Sequence, residues 1–579
     1  MKRLSRIDRS IAWLIFAVVL ATLLVAGRTQ GNTRDEGYYF NAAELYYGWY
    51  AELGENLVHL HPQRSFTAAS VDHWFSFNHE HPALMKTLFG FSWRIFHKCH
   101  CKGQPGHPVY YAHNHRTLQL LDEESAMRLP TNVVVAIMCA LVFLFGAAAW
   151  SRTAGLVAAV LTIASPRLFF DSQLACFDAP VAAFWFFVVY AYWRALDDPK
   201  WAWKAGVIFG LSLAVKHNSF FIPFILIVHY LWVHRARLRR FKMVPIPRVF
   251  LWMALVGPLV YLACWPWLWF DTVHRFRDYV AFHLHHVFYN IEYLGKNYNK
   301  PPSPISFTYV MTALTIPVTT LALAIGGAAA LISGWRRKLD VALAATMQVA
   351  TESERPSSRR PAAGLSTAPG FLCGINALFP MAILTFTGAP IFGATKHWHA
   401  ALPFIALLAG YGVHALLDAL PRRRLLAPAL GLVVCLPAVC ETWRAHPYEL
   451  THYNLLAGGP AGGADLGMNR QFWGYATLGV MPWLNAHAQP NAPIYWHDTN
   501  QDQLNMDVRI GLLRPDLRNT GLEEPGVRAS DIAMVIHEMH FRKYEYWIWD
   551  FYGTARPSRV LTDEGVPIVT VYQRPRKKP

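Results

Sequence analysis

Charge is scarce in this chain. Asp, Glu, Lys and Arg make up 16% of its 579 residues, against about 25% in an ordinary soluble protein. A large soluble chain with buried helices could share that average, but here the shortage is concentrated in long apolar runs separated by short basic clusters, the membrane pattern. With 54% hydrophobic and 14% aromatic residues, it points to a membrane chain. Acidic residues are the rarer sign: 37 Asp and Glu against 53 Lys and Arg leave a net charge of +16. No nucleic-acid partner is needed to explain the excess, because Lys and Arg gathered in loops beside apolar runs have the same effect. Cysteine is sparse too. The eight Cys are scattered, mostly within apolar stretches (Cys139, Cys176, Cys264, Cys373, Cys435), which excludes a disulfide framework and makes them small core residues. Cys99-His100-Cys101, with His107, His113 and His115, lacks the two separated Cys pairs of a zinc site. His537-Glu538-Met539-His540 is one residue short of a zinc-protease helix motif, so its two His would not share a helix face.

What the chain does have is apolar runs. They fall at about 10–27, 131–149, 153–170, 176–194, 205–232, 247–270, 306–334, 371–389, 399–419 and 424–440, with a shorter one at 83–97, where about 20 residues are needed for a full crossing. The run after Met1-Lys2-Arg3 reads as a retained span, not a cleaved signal. Basic clusters at 234–240, 336–338 and 422–424 mark the cytoplasmic side. A cytoplasmic N-terminus agrees with them only if the number of spans is odd, so eleven are expected, with 83–97 crossing. The first outer loop (28–82), the 271–305 loop, the 390–398 link and everything after 441 then share one outer face; a bacterial inner membrane, with that face periplasmic, fits the basic N-terminus and compact loops, and an endoplasmic-reticulum membrane is the alternative. Residues 350–370, rich in Ser, Pro and Arg, read as a cytoplasmic linker. Two domains are expected: a multi-span unit over 1–440 and an extramembrane α/β unit over 441–579. The second carries short strand-like runs (493–496, 532–536, 567–572) and ends in a basic, disordered tail from Arg574. Trp265-Pro266-Trp267-Leu268-Trp269 reads as an interfacial aromatic belt.

Just outside the first span stands Arg34-Asp35-Glu36-Gly37-Tyr38-Tyr39. Adjacent positions do not share a face of a helix or strand, so one carboxylate can point into a cavity while the other binds a partner. Such a group serves as a general base. The plainer reading is an acidic first turn complementing a helix dipole. Lys216 lies inside an apolar run, where a Lys is costly and functional by default; it either binds phosphate or neutralises a carboxylate such as Asp178. Span parity places Asp171 and Asp178 toward the inner side, away from Asp35, as capping or packing residues. The outer segments carry His59, His61, His79, His81, His283, His285 and His286. Glu80, His283 and His286 are the candidates for a divalent cation (Mg or Mn), against a plainer reading as interfacial His.

Several segments, in order, resemble the C-type (GT-C) fold glycosyltransferases, which include dolichyl-phosphate-mannose–protein mannosyltransferases and bacterial lipid A aminoarabinose transferases. They are Arg34–Tyr39 after the first span, His79-Glu80-His81-Pro82-Ala83-Leu84 with Ala83 where the family has a second Pro, and Glu124–Pro130. Three more follow: Phe170–Pro180 with Asp178-Ala179-Pro180, Gly210–His217 around Lys216, and Lys396-His397-Trp398-His399-Ala400-Ala401-Leu402-Pro403. His446–Gly463 resembles the family's junction with its outer domain, so the resemblance spans residues 10 to about 475. It implies a mainly α, polytopic GT-C enzyme that transfers a sugar, with inversion, from a polyprenyl-phosphate donor to lipid A, a lipid-linked glycan or a protein, as in protein glycosylation or lipopolysaccharide modification. Asp35 would be the base, with Glu36 its alternate or orienting neighbour. Lys396, His397, Lys216 and Arg34 would hold the donor phosphate, and His79, Glu80, His81, Tyr38, Tyr39 and Tyr293 would position donor or acceptor. The rival classes are a flippase or transporter of lipid-linked sugars, which predicts paired repeats and broken helices that the sequence does not show, and a non-catalytic assembly subunit.

Overall fold

The chain begins with α1 (Arg6–Ala26), capped by Ser5, whose hydroxyl accepts from the Asp8 amide while Asp8 accepts from the Ser5 amide. This computed structural model describes residues 2–98, 117–240, 242–349, 368–386, 390–421 and 423–575. The Cys99–Cys101 segment with its neighbouring His, and the linker up to residue 367, lie outside the described residues. After α1 come α2 (Arg34–Val58), α3 (Ala68–Phe75), α4 (Leu84–Phe96), α5 (Glu123–Ala149), α6 (Arg152–Ile163), α7 (Pro166–Asp171) and α8 (Asp178–Ala195). Next are α9 (Ala202–Leu213), α10 (Ile222–Val233), α11 (Arg235–Leu238), α12 (Arg248–Ala263) and α13 (Thr272–Leu284). A short β1–β2 hairpin (Ile291–Tyr293, Lys296–Tyr298) precedes α14 (Phe307–Thr315), α15 (Val318–Val349), α16 (Pro369–Phe386), α17 (Leu402–Ala419) and α18 (Arg423–Ala445).

The protein is mainly α and polytopic. Among the described residues five helical stretches are long and apolar enough to cross a bilayer: Arg6–Thr29, Glu123–Ala149, Pro369–Phe386, Thr395–Ala419 and Leu426–Ala445. The bent pair Phe307–Thr315 and Val318–Gly334 gives a sixth if counted as one. Eleven unbroken spans were expected, and the difference lies in local backbone chemistry. Pro317 and Pro166 each push the preceding residue, Ile316 and Ser165, into extended geometry and end the helix there. Lys216 is extended and splits the 205–232 run into α9 and α10, and Trp265-Pro266 closes α12. Apolar side chains nevertheless cover the outer faces of the bundle, among them Trp13, Leu14 and Val18 on α1, Leu251, Leu255 and Leu259 on α12, and Leu432, Val433 and Leu436 on α18, as a lipid-facing surface requires. At the centre, α8 is buried from Asp178 to Trp193. Helices α9 and α12 approach closely through small residues: a Cβ on Gly210 would lie 2.5 Å from the Gly257 carbonyl.

The 83–97 segment does not carry the chain across the bundle. Helix α4 has 13 residues, and past its midpoint Ser92 donates to the Ala126 carbonyl and Trp93 to Glu123, at the start of α5. Helix α5 then runs antiparallel to α1, because Lys2 meets the Ala148 carbonyl and Arg152 bonds Asp8 at 2.6 Å. The Trp segment also differs from expectation. Trp265 and Trp267 are buried against Tyr46 and Trp49 of α2 and Phe75 of α3, a second core beneath the loops instead of a belt.

Past α18 the chain forms α19 (Gly459–Asp465), α20 (Met481–His487), α21 (Gln501–Arg509), α22 (Glu523–Ala529) and α23 (Lys543–Tyr552) around a five-stranded sheet. Its strands are β3 (Pro493–Trp496), β4 (Arg518–Asn519), β5 (Ile532–Ile536), β6 (Arg559–Asp563) and β7 (Val566–Gln573), in the order β4-β3-β5-β7-β6. β3 pairs in parallel with β4 and β5, while β7 is antiparallel to β5 and β6. β5 is buried along its whole length, as an apolar strand covered on both faces must be. The tail expected to be free from Arg574 begins tied down: Arg574 donates to the Arg528 carbonyl at 2.8 Å and to the Ser530 carbonyl at 3.1 Å.

Two polar contacts fix α2. Arg128 of α5 grips Glu36 with Nε and Nη2 at 2.8 Å each, and its other hydrogen bonds reach the carbonyls of Gly27, Gln30 and Gly31 and the side chain of Asn32. On the far side α21 docks on α2, where Asn32 donates to Asp507 at 2.8 Å and Gln503 to the Asn32 carbonyl at 2.8 Å. Removing one partner of a buried ion pair leaves a charge stranded, at a cost of roughly 3–5 kcal/mol. Arg128→Met and Glu36→Gln should therefore each lower the melting temperature of the detergent-solubilised protein sharply, and the double variant should lose less than the sum of the two. Burial, with Glu124 and Glu36 nearby, pushes Asp507 up to about 7 despite the Asn32 hydrogen bond. A carboxyl whose folded pKa lies above its unfolded value of about 3.9 stabilises the fold fully only below that value, and the contribution is lost as the pH rises through about 7. Asp507→Asn should thus raise the melting temperature at alkaline pH and do so much less at pH 5; an equal shift at both would count against an ionising Asp507.

Candidate active site

Thr33 caps α2, and Glu36 completes the capping box by accepting from the Thr33 amide at 3.0 Å. The acidic pair therefore does sit in a helical first turn. Its two carboxylates have opposite surroundings. Glu36 is fully buried, and besides Arg128 and Thr33 it accepts from the Ala175 amide at 2.9 Å. The Asp35 side chain keeps 23% of its exposure. Its nearest cations are Lys396 Nζ at 3.7 Å and Arg34 Nε at 3.8 Å, both beyond hydrogen-bond distance. Glu36 is committed, and Asp35 is not.

Lys396 lies in the 3-10 segment Ala394–Ala401, just after Gly393, whose positive φ of 64° lets the backbone turn and whose missing Cβ leaves space for the Lys396 chain. The ammonium is buried against the rings of Trp473 (3.9 Å to the centroid) and Phe392 (4.6 Å), a cation–π cradle. His397 exchanges contacts with the Phe392 backbone at 2.7 and 3.2 Å. Lys216 pairs with Asp178 at 2.6 Å, and both lie within electrostatic reach of Lys396. This corrects the placement of Asp178 and Asp171 on the side away from Asp35. Because α4 does not cross, one crossing drops out of the count and residues 171–178 return to the Asp35 end, where Asp171 binds His399 and the Ala175 amide reaches Glu36.

Other expected residues divide. Tyr39, within electrostatic reach of Asp35, packs its ring on Phe177 at 4.2 Å, and His81 lies 6.0 Å from Tyr39 and 5.3 Å from Phe177. Tyr38 is exposed at the rim. His79 stacks on Trp267 and bonds the Ser76 carbonyl, the Glu80 carboxylate accepts from Asn78, and Tyr293 bonds Ser306; none of these three side chains meets Asp35. The metal candidates do not converge. His283 donates to the backbone carbonyl of Glu80 at 3.1 Å, not to its carboxylate, and His286 stacks on Phe392. Among the described residues no group of three His, Cys, Asp or Glu is placed to hold a metal ion.

The C-terminal sheet reaches the same place. Arg34 ion-pairs with Asp498, which follows β3, and its amide donates to the Trp473 carbonyl at 3.1 Å; Asn500 donates to the Arg34 carbonyl at 2.7 Å. Glu538, after β5, accepts from Arg542 at 3.3 Å and from the Trp473 amide at 3.3 Å. Burial, and then Glu538 facing it, pushes Asp498 up to about 8. Burial works against the Glu538 charge as well, but the Asp498 hydrogen bond, Arg542 and Arg34 hold its carboxyl below the ordinary range. Asp498 and Trp473 were not singled out from sequence, Glu538 entered only within the rejected zinc-protease motif, and Arg128 only within the Glu124–Pro130 resemblance. Only Arg128 left a signal there: an Arg beside an apolar run needs a carboxylate.

A family model described as dolichyl-phosphate-mannose-protein mannosyltransferase matches residues 107–267. No curated protein matches. Among solved structures, ArnT from Cupriavidus metallidurans bound to undecaprenyl phosphate is 12% identical, with a TM-score of 0.49, covering 97% of this chain and 98% of its own. The Archaeoglobus fulgidus oligosaccharyltransferase in the apo form is 12% identical, with a TM-score of 0.42, covering 88% of this chain and 61% of its own. Over residues 107–267, the segment that supplies Arg128, Asp171, Asp178 and Lys216, the chain is thus similar to the dolichyl-phosphate-mannose–protein mannosyltransferases.

Proposed function

We propose that this protein is a membrane glycosyltransferase that moves a sugar, with inversion, from a polyprenyl-phosphate donor to an acceptor hydroxyl or amine of a lipid A, lipid-linked glycan or protein. The observation that carries the reading is the contrast within the acidic pair: Glu36 is saturated, whereas Asp35 is half-open and flanked by two cations that do not hydrogen-bond it. One-step inversion needs a base on the face opposite the leaving group. Asp35 takes the acceptor's proton as the acceptor atom attacks the anomeric carbon. The bond from that carbon to the phosphate oxygen breaks, and polyprenyl phosphate leaves.

The charge developing on that phosphate calls for fixed cations. Lys396 is the first, backed by Lys216, His397 and Arg34. Lys396 rests 3.7 Å from Asp35, so a phosphate arriving between them would draw the ammonium away and leave the carboxylate free to act as a base. Glu36 becomes a positioning residue in this reading. Tyr38, Tyr39 and His81 border the reacting carbon, while His79, Glu80 and Tyr293 act through the loops they order.

The family model's donor, a lipid-linked mannosyl phosphate, supports the donor class. The basic N-terminus and the cluster at 234–240 favour a cytoplasmic N-terminus and a periplasmic site in a bacterial inner membrane. In that arrangement the shorter apolar helices also traverse, the 28–82 and 271–305 segments are outer loops, and residues 441–579 form a separate domain above them.

The test is transfer by the purified protein in lipid, from radiolabelled polyprenyl-phosphate sugars to an envelope extract. Asp35→Asn should lower kcat by about 10²–10⁴-fold, the usual span for a general base, with donor binding retained. Lys396→Ala should weaken both donor binding and kcat. Unchanged transfer in Asp35→Asn would sink the base assignment, and movement of lipid-linked sugar without transfer would favour a flippase.

A further inference from the structure

Asp498 and Glu538 belong to the C-terminal sheet, yet they close over Arg34, the residue before Asp35. The Asp498 carboxyl offers Oδ1 to Arg34. Its Oδ2 is buried, and among the described residues no donor reaches it. The group that faces Asp498 is the Glu538 carboxyl, itself held by Arg542 and the Trp473 amide. A buried acceptor without a donor is costly, and a proton shared between two facing carboxyls supplies the missing bond. The backbone is strained at the same point. Asp498 has φ 55° and Trp473 φ 69°, values rare for residues other than glycine and often found where a site is held in a set geometry.

We propose that Asp498 and Glu538 share one proton and act as a positioning pair that sets how strongly Arg34 is drawn away from Asp35. With the proton in place the pair carries one negative charge against two guanidiniums, Arg34 and Arg542, so net positive charge remains beside Asp35 and any bound phosphate. Without it the pair carries two, Arg34 is fully neutralised, and the cationic field at the reacting centre weakens. The groups facing Asp498 are Arg34 from α2, Glu538 from the end of β5 and the adjacent His497, whose ring burial keeps neutral with a pKa of about 4; Arg542, at the start of α23, reaches Glu538 and His497. Asp35 and Tyr289 lie on the other side of Arg34.

The activity readout rests on the transferase reading; a second readout does not. In transfer assays kcat should fall as the pH rises through about 8. That fall should be absent in Asp498→Asn, which is neutral at every pH, and Asp498→Ala should lose about tenfold at all pH values because Arg34 is misplaced. Difference infrared spectroscopy of the purified protein should show a protonated-carboxyl band that disappears over the same pH interval and is missing in Asp498→Asn. In Glu538→Gln, which removes the facing charge, the loss of that band should move to lower pH. Superimposable pH profiles for wild type and Asp498→Asn, or a band unaltered by both substitutions, would overturn the shared proton. If no donor supports transfer at all, the reaction assignment fails while the infrared titration still decides this one.

Discussion

A guanidinium buried among carbonyls holds the rest of this structure in place. Arg128 has five donors in a rigid fork, and its contacts go to the Glu36 carboxylate, three backbone carbonyls of the Gly27–Gly31 turn and the Asn32 side chain. Removing such a charge from water is costly unless every donor is used, so the turn and the start of α2 have one way to satisfy it. That arrangement fixes the rotation of α2 about its axis. Since neighbouring positions on a helix diverge, committing Glu36 inward commits Asp35 outward, toward Lys396.

Lys396 is held by a different kind of force. Among the described residues no carboxylate hydrogen-bonds its ammonium, which rests against the faces of Trp473 and Phe392 at the edge of the field of Asp35 and Asp178. An ion held by ring quadrupoles and distant charges is easier to move than one locked in a bidentate pair. The site therefore combines a rigid carboxylate frame with a cation that can change partners, as the proposed reaction with its departing phosphate requires. Arg34 sits between the two behaviours, bonded to Asp498 on one side and loosely beside Asp35 on the other.

Much of this was legible in sequence, and what was not has physical reasons. The acidic turn and its position after the first apolar run could be read from order and spacing, whereas Lys396 as a cation on the same face came from span parity and the family resemblance. The side on which Asp178 lies could not. Counting α4 as a crossing reversed the inferred side of residues 171–178, since hydropathy does not distinguish a span from a 13-residue amphipathic helix packed on α2 and α5. Prolines at 166, 266 and 317 shortened helices that composition alone made continuous. The contribution of Asp498 and Glu538 was invisible because it arises only when segments more than 450 residues apart along the chain meet.

That separation bears on how the protein is made. The start of α2 is synthesised long before the residues that seat it, Asp498, Asn500, Gln503 and Asp507. A growing chain can insert α1 and α5 and close the Arg128 turn early. It cannot complete the surroundings of Arg34 until the sheet has been synthesised and has docked. Chains that stop short of β3 would thus sit in the bilayer with the carboxylate frame built and its roof missing, so the site is complete only once the sheet has docked.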